Sequence, residues 1–245
     1  MPSAKQSSVM RAVAKSHTKA PVKASIKSSP KIAARKAKSA SLPDAKLSKR
    51  DLSLARILDA AIRLFATRGY WNSTLEEVAT VAGFTKGAVY YHFKSKEHLL
   101  LKALETIEAR SIDATIAGVA QRGGTPTAQL ASLVKYQTQW AATHPEDLAV
   151  MVLMSVEIAR AKSKIRTLMF RIYRKLATLL ETIIDAGKTT GEFSTRQDTR
   201  DIVLYLEAVH DGNMLLWYRS GNDPEIGRKL TRATLNGFAH AVQGH

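Results

Sequence analysis

Residues 85–92 read Thr-Lys-Gly-Ala-Val-Tyr-Tyr-His, a set whose chemistry is recognition rather than bond making. On a helix that turns Val89 and Phe93 inward, Lys86, Gly87, Tyr90 and Tyr91 fall on the outer faces. An ammonium in the first helical turn can reach a guanine edge or a phosphate. Gly87 and Ala88 are small enough to let a helix approach a groove closely. Tyr90 and Tyr91 each offer a flat apolar body that ends in a hydroxyl, suited to a phosphate oxygen or a base. The free amides at the helix start favour an anion. Thr74, Thr85, His92 and Lys96 flank this face as phosphate-positioning groups. From spacing alone, an ordinary helical hairpin with two surface tyrosines is the competing reading.

Short capped helices must hold that face. Thr74 stands three residues before Glu77, the spacing of a capping box, and Leu75, Val78, Ala79 and Ala82 follow on one helical face. Gly83 supplies the left-handed stop. Thr85 caps a second helix, with Phe84 and Val89 at hydrophobic-staple spacing, and Ser95 caps a third. Two short helices joined by a turn containing glycine read as a helix-turn-helix, whose second helix enters the major groove. Ahead of them, Leu54, Ile57, Leu58, Ala61, Leu64 and Phe65 predict a supporting helix from about Asp51 to Arg68, with Lys49 and Arg50 at its start as candidate phosphate contacts. After Ser95, a fourth helix carries Leu99, Leu100, Ala103, Leu104 and Ile107 inward and runs towards Ala120.

Other chemistry finds little support. There is no cysteine, which removes disulfides, thiol nucleophiles and thiolate metal sites. Glu207-Ala-Val-His210 has the spacing of one half of a helical di-iron site, but no second copy exists. Gly123-Gly124 lacks the Lys-Ser/Thr of a phosphate loop. No catalytic residue, metal or cofactor is expected. No window approaches 18 uninterrupted apolar residues, so no membrane partner is expected either.

The stretch from about Leu54 to Leu104 resembles the DNA-binding domain of the TetR family of bacterial transcriptional regulators. The likeness is carried by Ile57, Ala60, Ala61, Leu64, Phe65, Gly69 and Tyr70, then by Thr74, Val78, Ala79, Ala82 and Gly83, and above all by Thr85-Lys-Gly-Ala-Val-Tyr-Tyr-His-Phe93 with Lys96 and Leu99 after it. It implies an all-α fold: a three-helix N-terminal helix-turn-helix domain over 51–98 and a larger helical ligand-sensing and dimerisation domain over 99–245, about nine helices in total. Helical spacing at 126–143, 146–160, 165–187, 199–218 and 224–241, with no sustained strict alternation, agrees with that and predicts no sheet.

The resemblance also implies a homodimeric repressor, released from a palindromic double-stranded DNA operator by an unknown small molecule, in a bacterial cytoplasm at the nucleoid. The DNA contacts would be Arg50, Thr74, Thr85, Lys86, Gly87, Ala88, Tyr90, Tyr91, His92 and Lys96. A sensing pocket would draw on Tyr136, Trp140, Met151, Met154, Glu157, Phe170, Tyr173 and Tyr205, residue types that are equally plain core at this spacing. The last two helices would dimerise through Ile202, Leu206, Val209, Leu216, Trp217, Leu230, Leu235 and Phe238, unless these pack within the monomer. Gly212 could permit a close helix approach there, or equally a kink.

Charge is unevenly spread. Residues 1–50 hold 13 of the 37 Lys and Arg but one of the 21 acids, and no aromatic residue, so this segment reads as a disordered basic tail. Arg11, Lys15, Lys19, Lys23, Lys27, Lys31 and Arg35 recur every four residues, and an arm along DNA phosphates is one reading of that stripe. A general DNA-coating protein driven by the tail is the alternative to a sequence-specific regulator.

Overall fold

The computed structural model describes residues 48–158 and 163–243, and these belong to one compact unit, Lys46–His245. The basic segment before residue 48, with its expected disorder and its stripe, lies outside the described residues.

Side-chain caps set the first boundaries. Ser48 accepts from the Asp51 amide while Asp51 reaches back to the Ser48 amide, so α1 (Lys49–Arg68) begins two residues ahead of the expected Asp51. The same reciprocal pair, Thr74 with Glu77, opens α2 (Leu75–Ala82). Gly83 closes it at φ 71°, a left-handed conformation that a β-carbon disfavours. Thr85 accepts from the Ala88 amide to start α3 (Lys86–His92). At the turn between α2 and α3, the Arg56 guanidinium donates to the Ala82 carbonyl at 3.2 Å and lies 5.0 Å from the centre of the Phe84 ring. Val89 and Phe93 are fully buried, as their inward assignment requires.

Ser95 caps a long fourth helix, α4, made of Lys96–Glu108, a π turn at Ala109–Asp113 and a continuation at Ala114–Arg122. The π turn has a local cause. The buried Gln137 amide, projecting from the next helix, donates to the Thr115 hydroxyl at 2.8 Å and meets the Ser111 carbonyl at 3.4 Å, so a polar side chain supports the widened backbone.

The remaining helices are α5 (Pro126–Thr143), α6 (Pro145–Glu157), α7 (Lys164–Thr190), α8 (Thr199–Arg219) and α9 (Pro224–Val242). Each starts where the sequence places a stop or cap: Thr125 before Pro126, Ser163 before Lys164, Asp198 before Thr199 and Asp223 before Pro224 all accept amide hydrogen bonds. Among the described residues there are nine helices and no strand, and no helix is long and apolar enough to cross a membrane. α1 packs on α2, α4 and α6, while α5 to α9 pack around a second apolar centre that is continuous with the first. Gly118 on α4 is a close-approach point: the Tyr136 ring of α5 lies 2.4 Å from where a β-carbon would stand.

Candidate nucleic-acid interface and effector cavity

α3 presents the expected face. Lys86, Gly87, Tyr90 and Tyr91 are exposed and Ala88 is half-buried. The face includes one residue that the sequence reading missed, Glu76 on α2. Its carboxylate lies 2.6 Å from the Lys86 ammonium and accepts from the Tyr90 hydroxyl at 3.1 Å. The Lys86 hydrogen bond, ahead of Glu76's own backbone amide and Tyr90, holds the Glu76 carboxyl below the ordinary carboxylate range. Glu76 raises Lys86 in return. Lys86 and Tyr90 thus share one carboxylate on the exposed face. No sequence periodicity links position 76 to 86; the crossing of α2 and α3 makes the pair.

Around the face, the assigned groups divide. Arg50 is exposed in the first turn of α1. Thr85 accepts the cap bond of α3 and stays exposed. The Thr74 hydroxyl donates to Glu77 Oε2 at 3.0 Å as well as accepting its cap bond, so it is engaged within the chain. His92 is half-buried, edge-on to Tyr91 at 5.2 Å.

Lys96 is engaged within the chain. Its ammonium donates to the carbonyls of Tyr70 and Trp71 at 3.0 and 3.2 Å and lies 4.6 Å from the centre of the Tyr70 ring. It ties the start of α4 to the turn that follows α1. Lys96→Met is expected to lower unfolding free energy by about 1–2 kcal/mol, as charged hydrogen bonds to two carbonyls are lost. A urea titration followed by circular dichroism checks it; an unchanged midpoint would mean that the tie contributes nothing.

A cavity of about 220 Å³ lies between the π turn of α4 and helices α5 to α8. Of the eight residues expected to line a pocket, Trp140, Met151 and Tyr173 do. The other five are corrections. Tyr136 is wedged against Gly118. Met154 is buried in the general core. Glu157 is exposed at the end of α6. Phe170 is 58 % exposed, with Arg166 stacked on it at 4.6 Å. Tyr205 is exposed in a separate groove beside Thr195 and His240. These side chains have the right types but point away. Unanticipated lining residues include Ser111 and Ile112 of the π turn, Gln137, and the α8 run His210-Asp211-Gly212. Gly212 has nothing within 4 Å of where its β-carbon would stand in this chain and lines this space.

Arg110, on the π turn, ties the cavity wall to the helix-turn-helix. It donates to Asp59 of α1 at 2.7 Å and lies 3.6 Å from Asp147 of α6. Asp147 is buried, and burial holds its carboxyl above the usual range despite the pull of Arg110. Two residues earlier, buried Glu108 pairs with Arg171 at 2.6 Å and Lys175 at 2.7 Å on α7. Burial pushes the Glu108 carboxyl up, but these two cations outweigh it and leave the group below its ordinary value.

The expected dimer residues also divide. Ile202, Leu206, Trp217 and Phe238 are buried within this chain and have no side left for a partner. Val209 and Leu230 are half-buried against the core. Leu216, at 50 %, and Leu235 remain exposed, in company with Leu204, Tyr205 and Ile226 on the same two helices.

Residues 57–103 match the family model described as bacterial regulatory proteins, tetR family. The chain is 54 % identical over 50 residues to the uncharacterized HTH-type transcriptional regulator YerO of Bacillus subtilis, which covers 20 % of this chain and 17 % of YerO. It is 28 % identical over 146 residues to the HTH-type transcriptional repressor NicS of Pseudomonas putida, covering 58 % of this chain and 66 % of NicS. The crystal structure of the MbdR regulator from Azoarcus sp. CIB is similar with a TM-score of 0.66 at 29 % identity, over 76 % of this chain and 98 % of that one. The chain therefore spans less than two thirds of the length of the curated relatives YerO and NicS. The all-helical fold and the short capped pair α2 and α3 make a helix-turn-helix, the element of DNA-binding regulators. Within that class, residues 57–103 are similar to the DNA-binding domain of the TetR family of bacterial regulators.

Proposed function

We propose that the protein is a homodimeric, sequence-specific repressor that leaves a palindromic operator when a small molecule fills the cavity. In this reading residues 51–98 bind DNA and residues 99–245 sense and dimerise, in a bacterial cytoplasm. Two copies of α3 enter successive major grooves, where Lys86, Gly87, Ala88, Tyr90 and Tyr91 meet bases and backbone, and Arg50, Thr85 and His92 meet phosphates. The exposed apolar residues Leu204, Tyr205, Leu216, Ile226 and Leu235 on α8 and α9 supply the self-complementary face. The name of NicS, a repressor, supports the direction of control.

The observation that carries the coupling is the π turn. Ser111 and Ile112 line the cavity, while Arg110 beside them holds Asp59 of α1. A ligand pressing on the turn therefore acts on the helix that supports α2 and α3. It weakens DNA binding only to the extent that it binds the DNA-incompetent arrangement better.

The test is a titration of the full chain against the DNA upstream of its own gene and a scrambled control, at low and near-physiological salt. The expected result is a preference of about 10³-fold or more that survives the higher salt. Equal binding to both DNAs that vanishes as salt rises would overturn the reading and favour a general DNA-coating role for the basic tail.

A further inference from the structure

We propose that the cavity takes a compact, uncharged apolar molecule carrying one hydroxyl, whose O–H donates to Nε2 of His210. This rests on the cavity being the effector site.

Size comes first. A cavity of roughly 150 Å³ lined by aliphatic and aromatic side chains holds benzene. The 220 Å³ here suits one ring with a short substituent. Leu148, Met151, Ile172, Leu176 and Met214 make most of the wall apolar.

The polar lining is almost entirely committed within the chain. Ser111 Oγ donates to the Ile107 carbonyl and Ser155 Oγ to the Val152 carbonyl, both at 2.7 Å. The Gln137 amide is held by Thr115. The Trp140 indole N–H is directed towards Asp147, although it closes no hydrogen bond. His210 differs. Its side chain is 11 % exposed, and its Nε2 is buried with no hydrogen-bond partner among the described residues.

The neighbour of His210 sets what Nε2 can do. Nδ1 lies 3.1 Å from Asp211 Oδ1, and a carboxylate only accepts, so the proton sits on Nδ1. In the neutral ring Nε2 is then a bare lone pair facing a mostly apolar space. A bound hydroxyl satisfies it; a hydrocarbon of the same shape leaves it orphaned. Acidic side chains disfavour an anion here: Asp211 lines the cavity, and Glu207 stands one turn back on α8. The Tyr173 hydroxyl, kept protonated by burial first and by Asp211 second, is engaged with Ser155 and leaves His210 as the acceptor for the ligand.

Calorimetric titration of the full chain with 4-propylphenol, propylbenzene and 4-propylbenzoate tests this. The phenol is expected to bind about tenfold or more tightly than propylbenzene, since a buried acceptor is satisfied by one and stranded by the other. The benzoate is expected to bind weakest. His210→Phe should erase the preference for the phenol while keeping hydrocarbon binding, and His210→Gln, which retains an acceptor, should keep most of it. The melting transition of each variant reports that it folds. Equal affinity for phenol and hydrocarbon, a preference that survives His210→Phe, tightest binding by the benzoate, or no binding by any probe would each overturn the proposal. The same probes added to the protein–operator complex separate the two readings. Phenol binding through His210 without DNA release keeps the ligand chemistry and removes the effector role. DNA release by propylbenzene alone does the reverse.

Discussion

Replacing Lys86 and Tyr90 together by alanine is expected to lower affinity for the operator about 100-fold or more, at roughly 1–3 kcal/mol for each lost base contact. The fold should be nearly untouched. The Lys86 side chain is 64 % exposed, and neither residue contributes to the buried stripe of Val89 and Phe93. Binding to random DNA should fall far less, because that term comes from phosphate neutralisation spread over many cations. Competition titrations with operator and scrambled DNA, alongside a sedimentation measurement of dimer mass, check both halves. Specific affinity that survives the double change would mean that α3 is not the reading helix.

Arg110→Ala is expected to cost about 2–3 kcal/mol of stability at pH 8, the lower side of what breaking a buried pair costs, because Arg110 itself is partly exposed. The loss should shrink towards pH 5. Burial already lifts the Asp147 carboxyl above the usual range, with the Arg110 charge as the main opposing pull. Without Arg110 it rises further. A folded-state value above the unfolded one means that the native protein holds a proton that the unfolded chain has released, so stability increases as pH falls through that value. Urea unfolding at pH 5, 6.5 and 8 measures it. A deficit equal at all three would place the role of Arg110 in packing rather than charge. The same variant should still bind a cavity ligand yet transmit it poorly to DNA, since the bond to Asp59 on α1 is gone.

What the sequence made legible follows the range of the interactions. Thr74 with Glu77, Thr85 with Ala88 and Ser95 with His98 bond across three residues, so the starts of α2, α3 and α4 could be read locally. The start of α1 at Lys49 is set by the equally local Ser48–Asp51 box, two residues ahead of where the apolar periodicity alone points. Lys96 and Glu76 lay beyond reach. Their partners, 26 and 10 positions away, are set by helix crossing rather than by periodicity. On α8, Leu206 and Leu216 are alike in type, but one is core and the other surface. Only the positions of α6, α7 and α9, which pack on α8, distinguish them. The cavity shows the same limit: Trp140 and Tyr173 line it while Tyr136 and Phe170, identical in kind, do not. His210 stood out in the sequence for its spacing from Glu207, yet its character comes from Asp211 beside it and from the walls of α6 and α7.

The π turn at Ala109–Asp113 has a consequence for how this chain can change by insertion and deletion. A π turn accommodates one residue more than regular α geometry, and one residue corresponds to about 100° of rotation about the helix axis. Arg110 faces α1 and α6 while Ser111 and Ile112 face the cavity because the extra residue sets the phase between the two halves of α4. A single-codon deletion here would restore an ordinary helix and turn Val119 and the rest of its face away from α5. Amino-acid replacements across the cavity can drift gradually towards a new ligand. The reading frame of the helix itself, counted in residues between Lys96 and Arg122, is fixed to the unit.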